Sequence, residues 1–155
     1  NKWGKDWEEE LLSDEVLADR VAELVKTKNG LRGFFAYALS DMNCSLLDKL
    51  PSSLIFKFVE GGEQIVEITL KNLIMSSAQV ISHQRDNNPE YEEMSSNISD
   101  RCINILKLLD TKLVNNKVNM ILDDLDNLGN SINNSKNYDL KQKEFIREKI
   151  SKIAK

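Results

Sequence analysis

The sequence predicts an all-α fold, a single compact bundle of about six to seven helices with a central helix near residues 62–85. Apolar residues recur at helical spacing through most of the chain. Proline and glycine occur only two and six times in 155 residues, which argues against a turn-rich sandwich or barrel. We find no internal repeat and no long linker, so we expect one domain over residues 1–155. The first residue is Asn rather than Met, which leaves open a short segment upstream.

The first elements are predicted from caps and apolar stripes. Trp3 and Trp7 are four residues apart, so a helical start places both indoles on one side, where they are candidate docking residues. Ser13 is a suitable N-cap for a helix that we expect to reach about Lys28 and to end at Asn29-Gly30.

Two aromatic segments follow that allow either a strand or a helix. They read GLRGFFAYALSD and LIFKFVE, the second capped by Ser52 or Ser53 and ended by Gly61-Gly62. We predict helices for both, because no partner strand is evident in the rest of the chain.

The second half of the chain reads as three helices after the break RDNNP. Asn88 and Pro89 fit an N-cap and a first helical residue, and the helix should run to about Leu109. Another helix is predicted over 112–128. The polar loop GNSINNSKN then leads to a last helix capped by Asn137.

The central helix has three different sides at 100° per residue. We interpret the charged side as a solvated face, the aliphatic side as a core face, and the third side as the candidate for function. The charged side holds Glu67, Lys71, Ser82 and Arg85 with Ala78; the aliphatic side holds Val66, Leu70, Leu73, Ile74, Val80 and Ile81; the third holds Thr69, Asn72, Ser76, Gln79 and His83 beside Ile65, Ile68 and Met75.

The candidate ligand- or partner-binding residues are Asn72, Ser76, Gln79, His83 and Arg85. His83 is the only histidine, and it lies near a helix C-terminus, which favours cations. The alternative is a structural polar seam, in which small residues let another helix approach and buried hydroxyls and amides satisfy each other. The sequence leaves both interpretations open.

No catalytic residue, metal site or cofactor is predicted. One histidine and two isolated cysteines cannot supply a zinc site, and Val80 stands where a di-iron bundle needs a glutamate before His83. The segment DDLDNLGN lacks two of the ligands of a calcium loop. No phosphate-binding loop or nucleophile motif is present.

Charge and cysteine content restrict the class of partner and the compartment. The formal net charge is −4, and only residues 136–155 are basic, with seven Lys/Arg and three Asp/Glu, which does not favour nucleic-acid binding. Cys44 and Cys102 are expected to be reduced, and no apolar run is long enough to span a membrane. We therefore predict a cytoplasmic protein.

The stretch LLDKLPSSLIFKFVEGGEQIVEITLKNLIMSSAQVISHQRDNN, with LRGFFAYALSD before it, resembles a family of small all-α proteins of cyanobacteria and plastids. The resemblance covers roughly Leu31 to Leu109. It implies a cyanobacterial cytosol or a plastid stroma and a supporting role in photosynthetic physiology. Its motifs, LKNLIMSSA and SHQRDNN, are not catalytic signatures, so it lends no catalytic residues.

These observations favour a non-enzymatic helical interaction protein, an adaptor or assembly factor with a protein partner of unknown identity. The rival is a small-ligand-binding protein or an enzyme that uses the polar stripe around His83. The rival predicts a concave pocket converging on His83 with Glu90, Tyr91 or Arg101 nearby, whereas the adaptor predicts a flatter exposed patch.

Overall fold

The computed structural model describes residues 13–41, 46–48, 50–127 and 138–153. Within those ranges every regular element is an α-helix, which confirms the predicted fold class. The helices are α1 (Asp14–Leu24), α2 (Lys28–Ser40), α3 (Ser52–Glu60), α4 (Gly62–Arg85), α5 (Pro89–Leu108), α6 (Thr111–Asn127) and α7 (Leu140–Ser151). The predicted docking residues Trp3 and Trp7 and the predicted cap Asn137 lie outside the described residues.

The described residues form two compact units, which divide between residues 65 and 66. The first contains α1 to α3, and the second contains nearly all of α4 together with α5 to α7. A single domain over the whole chain stays a prediction. No described helix is both long and apolar enough to cross a membrane.

The first unit is built around an aromatic cluster. Helix α1 packs against α2 and α3 and buries Leu17 and Val21. Phe34 and Phe35 of α2 meet Phe58 of α3, with ring centroids 5.5–6.1 Å apart. The segments GLRGFFAYALSD and LIFKFVE, whose patterns allowed either a strand or a helix, are therefore helices that pack together through this aromatic cluster.

The expected stop at Asn29-Gly30 is wrong. Helix α1 ends earlier, at Leu24, and α2 begins at Lys28, so both residues lie in the first turn of α2. Thr27 is the N-cap, and its Oγ1 accepts a hydrogen bond from the Gly30 N–H at 3.0 Å. Gly30 therefore permits a close turn between two helices, because a Cβ there would lie 1.9 Å from the Leu24 carbonyl oxygen.

Two alanine substitutions in α2 are expected to change stability in opposite directions. A Cβ added at Gly33 would have no neighbouring atom within 4 Å, so Gly33→Ala should raise the free energy of unfolding by about 0.5–1 kcal/mol. Gly30→Ala should lower it by at least about 1 kcal/mol, because the backbone of Leu24 must move. Urea unfolding of both variants tests this, and a stabilised Gly30→Ala would contradict the close approach.

The junction between α3 and α4 follows the predicted glycine pair. Helix α3 ends at Glu60 with Gly61 as its C-cap, and Gly62 has φ +58°, a conformation that suits glycine. The predicted serine cap of α3 is wrong: Pro51 occupies the N-cap position and makes no side-chain cap bond. Ser52 is already inside the helix.

The second unit places α5, α6 and α7 in contact with one another. Asn88 caps α5 as predicted, with its Oδ1 accepting a hydrogen bond from the Tyr91 N–H at 3.3 Å, and Pro89 is the first helical residue. Helix α7 begins with a capping box between Asp139 and Gln142, two residues after the predicted cap.

Candidate functional site

The charged side of α4 is covered in part by two other helices, so its interpretation as a solvated face holds for exposed Lys71 and Arg85 but not for Ala78. Glu67 forms an ion pair with Lys117 of α6, with Oε1 and Nζ 2.9 Å apart. Ala78 on the same side is only 3% exposed. Charged residues at helical spacing are typical of a solvated face, but they also occur where two helices pack and form ion pairs.

Side-chain hydrogen bonds and an ion pair connect the start of α7 to the C-terminal half of α4. Buried Gln142 donates from Nε2 to the Ala78 carbonyl oxygen at 3.2 Å and to the Ser82 hydroxyl at 3.1 Å. Arg85 hydrogen-bonds Asp139, the N-cap of α7, and the two form an ion pair. Arg85 therefore acts as a contact between helices in this unit.

The guanidinium of Arg85 lowers the pKa of Asp139 to about 2, with a further contribution from the Gln142 backbone N–H. Arg85→Gln is expected to return this pKa toward the usual value of about 3.9. Because the folded-state pKa is depressed, the stabilisation is complete above the unfolded value of about 3.9 and is lost as the pH falls toward 2. An NMR titration of the Asp139 carboxyl carbon measures the shift.

Arg32→Gln is the matched control for this prediction, because it removes the same charge from an exposed position on α2. It should leave the pKa of Asp139 low. An unchanged pKa of Asp139 in Arg85→Gln would contradict the ion pair.

Besides exposed charged residues such as Lys71, α4 has an accessible uncharged stripe, which we call the α4 ridge. Met75 is 50% exposed, Gln79 is exposed, and Asn72 and His83 are half-buried. At 100° per residue these four residues lie within about 80° of one another, over a length of about 16 Å. The ridge therefore coincides with the outer part of the predicted polar stripe.

Ser76 belongs to the inner edge of that stripe and is 3% exposed. Its hydroxyl lies 2.8 Å from the hydroxyl of Ser99 on α5 and also donates to the Leu73 carbonyl oxygen at 3.1 Å. Ser77 is fully buried, with its hydroxyl 3.4 Å from that of Ser99. At Ser76 and Ser77, the polar stripe therefore has the geometry of a structural polar seam between α4 and α5.

The exposed end of the ridge meets the first turn of α5. The rings of His83 and Tyr91 lie 5.6 Å apart between centroids and are tilted by 42°. Tyr91 is 53% exposed and His83 is half-buried, so Tyr91 forms the outward part of this pair. The Asn88 N–H donates to the His83 carbonyl oxygen at 3.0 Å, which fixes the turn that brings the rings together.

The predicted site residues therefore separate into two groups. Asn72, Gln79 and His83 share the α4 ridge, whereas Ser76 is turned inward and Arg85 binds Asp139 on a different side of the helix. Sequence reasoning did not include Met75 among the site residues, although its helical position beside the stripe was visible. Tyr91 entered only as a neighbour of a possible pocket.

A concave groove lies on the other flank of the α4–α5 hairpin, at its contact with α7, with a volume of about 380 Å³. Its lining includes Val80, Pro89, Glu92, Glu93, Asn97 and Phe145. None of the predicted site residues on α4 lines it, so this groove is not the pocket converging on His83 that the rival function requires.

The thiol of Cys102 is unsuited to nucleophilic chemistry. It is 0% exposed, and burial raises its pKa far above the usual range, which keeps it protonated. Among the residues that the structure describes, no three His, Cys, Asp or Glu side chains come together as metal ligands.

Comparison with known proteins gives a family match over residues 1–153, to the family described as Uncharacterised conserved protein UCP020893. No curated protein and no solved structure matches the chain.

Proposed function

Since this chain belongs to that family, whose description names no activity, we propose from the site geometry that it is a non-enzymatic helical interaction protein. The docking face is the α4 ridge together with Tyr91. The observation that carries the proposal is the contact between half-buried His83 and exposed Tyr91 at the end of a ridge that also exposes Met75. Exposed aromatic and methionine side chains are enriched at protein interfaces.

The charges next to Tyr91 indicate a partner that is basic at that end of the ridge, whereas exposed Lys71 lies one turn from Met75 at the other end. Residues 86–93 carry four carboxylates and no Lys or Arg, and Asp86, Glu90 and Glu93 are exposed. Acidic residues in the first turn of α5 also stabilise that helix, so they have a structural function as well. Their field still favours a partner that brings Lys or Arg to the end of the ridge.

Two exposed methionines provide the test. Met75 lies on the ridge, and Met120 of α6 is 56% exposed in the same unit. A photo-crosslinking residue at Gln79 identifies the partner in cells, and its affinity is then measured for Met75→Lys and Met120→Lys. We expect Met75→Lys to weaken binding at least about tenfold, because it removes an apolar contact and repels a basic surface.

Met120→Lys should bind like the unchanged protein. A partner that binds Met75→Lys normally, or that loses affinity equally in both variants, would exclude the α4 ridge as the docking face. The cyanobacterial or plastid source and the role in photosynthetic physiology stay predictions of the resemblance.

A further inference from the structure

The groove on the flank of the α4–α5 hairpin combines an apolar floor with an acidic rim. Val80 is 4% exposed and contributes to the floor with Pro89 and the half-buried ring of Phe145. Glu92 and Glu93 line the same groove, and Glu93 is exposed. Such a groove suits a ligand with an aliphatic stem and a cationic head.

The described residues that line the groove bring negative charge, and no Lys or Arg is among them. Glu92 accepts a hydrogen bond from the neutral amide of Gln84, at 3.2 Å, which leaves the charge of its carboxylate in place. Among the cations near the described part of the groove, Lys149 places its Nζ over the Phe145 ring, 5.3 Å from the centroid. Lys149 is 8% exposed and forms an ion pair with Asp100, with its Nζ 3.9 Å from that carboxylate, which offsets its positive charge.

We propose that this groove receives an arginine side chain of the partner, and this inference rests on the proposed function. The groove shares the first turns of α5 with Tyr91, so a chain that docks on the ridge reaches both flanks of the hairpin. Arginine fits better than lysine, because its planar guanidinium can bond two carboxylate oxygens at once. The open groove also leaves room for the main chain to which that side chain is attached.

The test uses the full chain and a small probe, N-acetyl-arginine N-methylamide, followed by NMR. We expect saturable shifts at the amides of Val80 and Asn97 and at the Phe145 ring, with a Kd on the order of millimolar because the site is open to solvent. The citrulline analogue, which has the same shape without the charge, should bind at least about tenfold more weakly.

Glutamate-to-glutamine variants on α5 separate the groove from the general acidic field. Glu93→Gln should weaken the arginine probe several-fold, whereas Glu90→Gln, an exposed glutamate outside the groove lining, should leave its affinity within about twofold. Equal weakening by the two variants, equal binding of the citrulline analogue, or no saturable shift at the groove would each overturn the inference.

Partner binding distinguishes this inference from the proposed function. If Met75→Lys abolishes partner binding while Glu93→Gln leaves it unchanged, the ridge is the docking face and the arginine pocket is wrong. If the arginine probe binds the groove and Glu93→Gln weakens the partner, the pocket is supported even where Met75→Lys has no effect and the ridge proposal fails.

Discussion

Replacing Phe58 with Ala is expected to lower the free energy of unfolding by about 3–5 kcal/mol. Phe58 is 1% exposed, and its ring stacks on that of Phe35 with centroids 5.7 Å apart and meets that of Phe34 at 6.1 Å. The loss combines the transfer free energy of the ring with a cavity between α2 and α3. Domains have a total stability of about 5–15 kcal/mol, so urea unfolding should show a large shift of the midpoint.

Phe56→Ala is the matched control, since it makes the same change two residues earlier in α3. Phe56 is 63% exposed, and its removal should change the free energy of unfolding by no more than about 0.5 kcal/mol. Similar losses for the two variants would mean that α3 does not present one face to the core.

The same two residues show what decides between helix and strand in LIFKFVE. In a strand, Leu54, Phe56 and Phe58 share one face, whereas in a helix only residues three or four apart do so. Leu54 and Phe58 are 0% and 1% exposed, and Phe56 is outward, so the helical period is the one that burial follows. The sequence alone allowed both patterns, and only the position of the first unit's core resolves them.

The long helix α4 was predicted with the bounds that the structure has, Gly62–Arg85, because the glycine pair marks its start and the RDNNP break marks its end. Its sides were harder to interpret. Glu67 and Arg85 look solvated in sequence, yet each pairs with a residue 50 or more positions away, Lys117 and Asp139. Helical spacing defines which residues share a side but does not identify the helix that covers it.

For the candidate site too, the sequence predicted which residues share a side of α4 but not which residues of other helices contact them. Gln79 and His83 could be placed on one polar stripe from spacing alone, and the structure leaves them accessible. The inward turn of Ser76 depends on a partner hydroxyl at Ser99, 23 residues later on α5. Likewise, the meeting of His83 with Tyr91 depends on the turn between α4 and α5, whose geometry the sequence did not specify.

Replacing Ser99 with Leu is expected to lower the free energy of unfolding by about 2–4 kcal/mol, the sum of a packing cost and a lost hydrogen bond. Ser99 is 0% exposed and packs its hydroxyl against that of Ser76, so a larger side chain forces α4 and α5 apart and costs about 1–3 kcal/mol. The change also removes a hydrogen-bond partner from buried Ser76, which adds about 1 kcal/mol. Thermal and urea unfolding of this variant and the unchanged protein measure the total change in the free energy of unfolding.

Ser99→Ala separates the two contributions, because it removes the hydroxyl without adding volume. We expect it to cost about 1 kcal/mol, since Ser76 keeps its bond to the Leu73 carbonyl oxygen. A large loss in Ser99→Leu with a small one in Ser99→Ala identifies this part of the stripe as a close helix contact. If Ser99→Leu were as stable as the unchanged protein, space for a ligand would have to exist at Ser76, and the polar stripe would be one continuous site instead of an outer ridge and an inner seam.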